Sequence, residues 1–240
     1  MLAESVNLTG KLPAFKLERS RHVSAQIFDA LRELIISVEL EPGWVLPRLE
    51  LAEHYGVSQT PIRDALTRLG EEGLVDIFAQ HATVVSRISI VGAQQAHFLR
   101  RSIELELLRT LARAPTADLQ ALICRLQGAI SRQSLALSPA GYGEFALADQ
   151  DFHRALYETA DVLPLWEIVR QRSGHIDRLR RLHLPAAGKA QAVIRDHKAI
   201  VRALEQRDAD AGAVALNKHL RGTLSFVDEI RSRYPNYMVD

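Results

Sequence analysis

Four side chains scattered along the second half of the chain are of the types that hold a cation: Asp149, His153, His197 and His219. Asp149 and His153 are four residues apart, so on a helix both project from one face. His197 and His219 each fall inside an otherwise core-like helical pattern further on. Three helices of one bundle could therefore deliver one carboxylate and three imidazoles to a divalent ion. On spacing alone the plainer reading weighs more: a helical histidine is usually solvated or held by one hydrogen bond, and a chain with nine histidines yields some Asp/His pairs at this spacing by chance.

A second constellation occupies residues 46–75, LPRLELAEHYGVSQTPIRDALTRLGEEGLV. It reads as two short helices about a tight turn. Leu49, Leu51 and Ala52 are expected to face inward on the first, Gly56 to make the turn, and Val57 to pack back between the helices. Ser58 is placed to cap the second helix with its side chain. There Ile62, Ala65, Leu66 and Leu69 form one apolar stripe, and Pro61 sits in the first turn, where a missing N–H costs little. Gln59, Thr60, Arg63 and Thr67 are left outside. An amide, hydroxyls and a guanidinium near a helix N-terminus suit base edges and phosphates in a DNA major groove.

Charge does not by itself argue for nucleic acid. Between Lys11 and Arg87 nine basic residues (Lys11, Lys16, Arg19, Arg21, Arg32, Arg48, Arg63, Arg68, Arg87) face eleven acidic ones (Glu18, Asp29, Glu33, Glu39, Glu41, Glu50, Glu53, Asp64, Glu71, Glu72, Asp76). The positive groups would have to gather on one face, with Arg19, Arg21, Arg48 and Arg63 as candidates. Over the whole chain, 47% hydrophobic and 25% charged residues are ordinary for a globular protein. No apolar run is long enough to span a bilayer and residues 1–20 lack a signal-like hydrophobic block, so a cytoplasmic location and no membrane partner are expected. The single cysteine, Cys124, cannot build a disulfide framework and is expected to be a buried small hydrophobe.

The elements that must position these residues follow from periodicity. Residues 1–20 read as a flexible arm. From Ser24, Ile27, Leu31, Leu34, Ile35 and Val38 recur at helical spacing until Glu41-Pro42-Gly43 stops them. After the two short helices come β-like runs at 74–78 and 83–88, a small wing. The fold class is therefore mainly α: a winged helix-turn-helix over 21–88, then an antiparallel all-helical bundle over 89–232, with a tail at 233–240. The bundle helices are expected at about 91–113, 117–136, 140–159, 162–182, 187–206 and 208–231.

The run Pro42-Gly43, Leu51-Ala52, Gly56-Val57-Ser58, Thr60-Pro61-Ile62-Arg63-Asp64-Ala65-Leu66, Leu69, Glu72-Gly73-Leu74-Val75 closely resembles the N-terminal domain of GntR-family transcription regulators. The rest is similar to the ligand-sensing FCD domain of their FadR-like branch, and the resemblance extends over about residues 22–232. It implies that Asp149, His153, His197 and His219 are the metal ligands of that domain, since every ligand position is filled. The metal expected is zinc, nickel, manganese or iron, all compatible with three imidazoles and a carboxylate. It further implies a homodimer on double-stranded operator DNA, with Arg63 as the central contact, Gln59 and Thr60 beside it, and Ser58 at a phosphate or as cap. Arg48 lies alongside. Two departures stand out: Gln59 where many relatives carry Arg, and Leu49 where an Arg is common. Gln prefers adenine where Arg prefers guanine, so a less G-dependent half-site is expected. Ala82 replaces the usual glycine of the wing tip, where His81 either reaches the DNA or is simply an exposed turn residue.

Arg100 occupies a position where relatives often carry an arginine facing the cavity, and a guanidinium is shaped for the carboxylate of a small organic acid effector. A surface ion pair with Glu104, one turn on, is the equal alternative. The function so implied is a repressor whose operator binding such an effector modulates. A purely structural metal would leave the DNA-binding role unchanged. A metal-dependent hydrolase is the remaining rival, but no glutamate base at motif spacing, nucleophile elbow or phosphate loop accompanies the four ligands, so no catalytic residue is assigned.

Overall fold

The computed structural model describes residues 12–78 and 82–240. Those residues form two compact units: one runs up to Ile90 and recovers Tyr234–Asp240, and the other is Val91–Arg233. The chain is mainly helical.

In the first unit, α1 (Val23–Ile36), α2 (Arg48–Tyr55) and α3 (Gln59–Glu71) precede a hairpin of β1 (Val75–Phe78) and β2 (Ala82–Val85). The antiparallel register pairs Val75 with Val85 and Ile77 with Thr83. The segment between α1 and α2 lies against β2, with Leu46 N–H donating to the Thr83 carbonyl at 2.8 Å and Val85 N–H to that of Trp44 at 2.8 Å. The stripes expected on α1 and α3 supply the core: Ile27, Leu31, Ile35, Ile62, Ala65, Leu66 and Leu69 are buried together. Gly56 closes α2 at φ 63°, a left-handed conformation suited to glycine, and so makes the turn.

Several local expectations are corrected. Leu49 is 59% exposed rather than inward, because Leu51, Ala52 and Tyr55 already fill the buried face of α2. Val38 is not a helical position: α1 ends at Ile36, and Val38 takes φ 64° beyond it, an unusual conformation for a β-branched residue. Part of the expected arm is packed, with Leu12 buried and the Phe15 ring edge-on to Tyr55 at 5.1 Å. Residues 1–11 and 79–81 lie outside the described set.

The expected second wing strand is split. β2 ends at Val85, and a separate β3 (Ile88–Ser89) pairs in parallel with β4 (Met238–Val239), in the segment expected as a tail. The Ile88 N–H donates to the Tyr237 carbonyl at 2.8 Å, and Met238 is buried.

The second unit contains α4 (Ile90–Leu111, whose first residue belongs to the other unit), α5 (Thr116–Leu135), α6 (Tyr142–Thr159), α7 (Leu163–Arg172), α8 (Gly174–His183), α9 (Lys189–Glu205), α10 (Ala209–Arg221) and α11 (Val227–Arg233). The expected fourth and sixth helices are each two. The fourth breaks at Ser173, whose hydroxyl donates back to the Val169 carbonyl at 2.7 Å, and the sixth at Gly222 and a 3-10 turn over Leu224–Phe226. Their core includes Leu108, Leu122, Leu126, Phe152, Leu156, Ile200, Leu204 and Leu216. Cys124 is exposed rather than buried, one residue past the Leu122–Ile123 stripe of α5.

Candidate metal centre and nucleic-acid interface

α6, α9 and α10 bring together the four residues expected to bind metal. One ligand atom from each of Asp149, His153, His197 and His219 lies within 4.8 Å of every other. His219 Nε2 is 3.1 Å from His153 Nε2 and 3.2 Å from His197 Nε2, and His197 Nε2 is 3.5 Å from Asp149 Oδ1. Two atoms each ~2.0–2.1 Å from a tetrahedral cation are themselves roughly 3.4 Å apart, so the spacing matches a donor set around one ion.

Protonation decides whether these nitrogens can donate lone pairs. His153 Nδ1 lies 2.8 Å from Glu104 Oε2. A carboxylate only accepts, so His153 Nδ1 carries a hydrogen, and in the neutral ring the Nε2 turned to the cluster keeps its lone pair. His197 Nδ1 is 2.8 Å from Gln133 Oε1, and the Gln133 amide nitrogen faces Asp149 Oδ1 at 3.5 Å, which assigns the same tautomer to His197. The ring of His197 also stacks on Phe152, centroids 3.8 Å apart. Burial holds the His197 pKa down to about 3 despite the neighbouring Asp149. Burial, with His197 and His153 nearby, pushes that of His219 well below its usual value. Burial alone would raise Asp149, but His153 and His197 outweigh it and hold the carboxylate at about 2. At His197, His219 and Asp149 the cluster thus offers two neutral imidazoles and an ionised carboxylate, the forms that bind metals.

Glu104 and Gln133 are functional candidates that sequence reasoning missed as partners of these histidines. A signal existed for both. Arg100 and Glu104 interrupt the buried stripe Ala93, Ala96, Leu107, Leu108, Leu111 of α4, and Gln133 continues Leu119, Leu122, Leu126, Ala129, Ile130 of α5. Polar residues in a buried register demand partners.

Arg100 forms the expected ion pair with Glu104, but in the interior: Nε to Oε1 is 2.6 Å, with side chains 5% and 0% exposed. The surface alternative is thereby replaced by a buried pair. Burial opposes charge on Arg100, yet Glu104 and Asp149 outweigh it and raise its pKa. Burial likewise opposes charge on Glu104, but Arg100 and His153 hold it at about 2. The Arg100 Nη2 is buried and has no hydrogen-bond partner among the described residues. A buried guanidinium N–H group left without an acceptor is ready to donate to an anion.

In the first unit α3 exposes Gln59, Thr60, Arg63 and Thr67 while burying Ile62, Ala65, Leu66 and Leu69. The Thr67 hydroxyl donates to the Arg63 carbonyl at 2.9 Å. Ser58 occupies the N-cap with extended backbone but makes no side-chain cap bond, contrary to expectation. Ser58 is exposed at the N-terminus of α3, a helix end suited to phosphate. Arg48 is exposed in the first turn of α2. Arg21 is ion-paired to Asp29 at 2.5 Å, and Arg19 is exposed. His81 lies outside the described residues.

An exposed polar helix on a winged helix-turn-helix, followed by a helical unit with a histidine–carboxylate cluster, is the arrangement of a DNA-binding regulator with a second, helical domain. Residues 23–85 match the bacterial regulatory proteins of the gntR family, and residues 95–222 match the FCD domain. The chain is 32% identical over 209 residues to an uncharacterized HTH-type transcriptional regulator in an unstable DNA locus of Streptomyces ambofaciens, covering 87% of this chain and 86% of that protein. It is 28% identical over 216 residues to the HTH-type transcriptional repressor RspR of Escherichia coli K12, covering 90% and 93%. Among solved structures it superimposes on E. coli McbR/YncC with a TM-score of 0.68 at 19% identity, over 89% of this chain and 99% of that one. The chain belongs to the GntR family of bacterial transcription regulators, in the group that carries an FCD domain. It is a DNA-binding transcriptional regulator, and its family and relatives are regulators rather than enzymes. Among the described residues no helix is long and apolar enough to cross a membrane.

Proposed function

We propose that this regulator is a homodimeric repressor whose grip on a two-fold operator is modulated by a small organic acid bound beside a divalent metal ion. The observation that carries the reading is the meeting of a metal-type donor set with a buried, unpartnered guanidinium nitrogen on Arg100. Asp149, His153, His197 and His219 would hold zinc, nickel, manganese or iron, leaving positions for acid oxygens, and Arg100 would clamp the carboxylate. When bound, the metal supplies Lewis acidity toward the acid's oxygen atoms. Repression accords with the name of RspR, the E. coli relative. Two chains joined through their bundles would present two α3 helices to successive major grooves, with Arg63 central, Gln59 and Thr60 beside it, and Ser58, Arg48 and His81 toward the backbone or wing side. The acid shifts operator affinity only as far as it prefers one arrangement of the dimer over another.

Operator binding measured while metal and a panel of small carboxylic acids are titrated tests this. Altered stability at constant operator affinity would instead make the metal a structural staple.

A further inference from the structure

Glu104 is in contact with both halves of the proposed site. Its Oε1 accepts from Arg100 Nε at 2.6 Å, and its Oε2 accepts from His153 Nδ1 at 2.8 Å. The residue is fully buried, and the Tyr157 hydroxyl approaches Oε1 at 3.5 Å. We propose that Glu104 is the positioning residue that sets the metal-binding tautomer of His153 and, through the same carboxylate, links that ligand to the anion-binding guanidinium of Arg100.

Two donors, Arg100 Nε–H and His153 Nδ1–H, converge on one side chain, and only a carboxylate has an oxygen for each. With His153 Nδ1 protonated, its Nε2 lone pair points toward His219 and the ligand cluster. A glutamine at this position has a single acceptor. Its NH2 must then face Arg100 or His153, and since Arg100 can only donate, the amide turns toward the imidazole. His153 meets it by moving its proton to Nε2, which removes the lone pair from the cluster. The partner of a metal-binding histidine typically governs affinity by roughly 10- to 100-fold, and that is the loss expected here.

The same bridge gives the two ligands a path to feel each other. A carboxylic acid that takes the free Nη2 of Arg100 draws guanidinium charge away from Glu104. The less neutralised carboxylate polarises the His153 N–H more strongly and makes Nε2 a better donor. Metal and acid then bind with positive coupling, and by linkage the effect is mutual. Gln133 serves His197 in a similar way but turns its amide nitrogen to Asp149, so it supplies an internal control.

This inference rests on the proposed metal reading, and the test separates the two. The full chain, labelled with 15N-histidine and stripped with chelator, is compared as wild type and Glu104→Gln by imidazole 15N shifts, and each is titrated with zinc against a competing chelator. Expected are a His153 hydrogen on Nδ1 in the wild type and on Nε2 in the variant, an unchanged His197, and zinc binding weakened roughly 10- to 100-fold in the variant. A wild-type His153 protonated on Nε2, which needs no variant to observe, overturns the proposal. So does equal zinc affinity in both proteins, which would leave the metal site itself standing. Zinc binding to neither protein, with His153 on Nδ1, would instead overturn the metal reading while the tautomer role stands.

Discussion

Replacing Arg100 by methionine removes the guanidinium and keeps most of the side-chain volume, so its cost reports the buried ion pair. Glu104 would be left with no exposed surface, facing only the His153 N–H and the more distant Tyr157 hydroxyl. In the intact protein its pKa is lowered from 4.5 to about 2, burial being outweighed by Arg100 and then His153. That displacement corresponds to roughly 3 kcal/mol of stability, present above the unfolded pKa and lost as pH falls toward 2. Removing one partner of a buried pair costs about 3–5 kcal/mol, the range expected for Arg100→Met near neutral pH. The orphaned carboxyl can escape by taking up a proton, which becomes easier by roughly 1.4 kcal/mol for each pH unit of acidification. The loss should therefore shrink by up to about 3 kcal/mol between about pH 7.5 and pH 5. Urea unfolding of the chelator-treated full chain, followed by circular dichroism at both pH values, measures it. Arg100→Met with Glu104→Gln should cost less than Arg100→Met alone, since no buried charge remains. A loss below about 1 kcal/mol, or one independent of pH, would refute the reasoning.

Other outcomes follow from the same geometry. Arg63→Ala leaves folding stability within about 0.5 kcal/mol, because the side chain is 63% exposed and its contact with Asp64 is a loose 3.7 Å, yet operator affinity falls by about 1–3 kcal/mol; anisotropy and urea unfolding read the two effects. Selection of bound sequences from a random pool should give a half-site less dependent on G than that of Gln59→Arg, and an identical site for both proteins sinks the assignment of Gln59 to base contact. Deleting residues 234–240 strips β4 and the buried Met238 from β3 and should destabilise the DNA-binding unit by about 2–4 kcal/mol, seen as loss of hydrogen-exchange protection at Ile88. His183 is held down to about 4 by burial, with Lys189 and Arg233 adding to it, and stays neutral when folded while the unfolded chain takes up a proton below about 6.5. Stability is thus lost as pH falls from 6.5 toward 4, by roughly 3 kcal/mol, and His183→Leu should flatten that slope.

The DNA-binding half was the more legible part because its signals are local. The Ile62, Ala65, Leu66, Leu69 stripe, the Gly56 turn and the polar outer face of α3 all depend on residues within a turn or two of one another. Leu49 misled because one apolar residue near a helix start has no fixed face until its neighbours fill the core. The union of β3 with β4 joins residues about 150 positions apart, and two-residue strands have too little alternation to register in a pattern. The four cluster residues could be named from residue type and helical placement, but spacing tied only Asp149 to His153 and favoured the plainer reading until the family pattern joined His197 and His219 to them. What remained hidden was the hydrogen-bonded layer behind them. Glu104 and Gln133 lie in buried stripes, and that misfit says each needs a partner without saying which one.

The central claim is that the histidine–carboxylate cluster makes operator binding answer to a small acid. Its most direct test is an anisotropy titration of the selected operator with the zinc-loaded full chain across a panel of small carboxylic acids, repeated after zinc is removed. At least one acid is expected to weaken operator binding by about 5- to 150-fold while zinc is bound and to lose that effect once zinc is stripped. An operator affinity that no acid moves, or that the same acid moves equally with and without zinc, would contradict it.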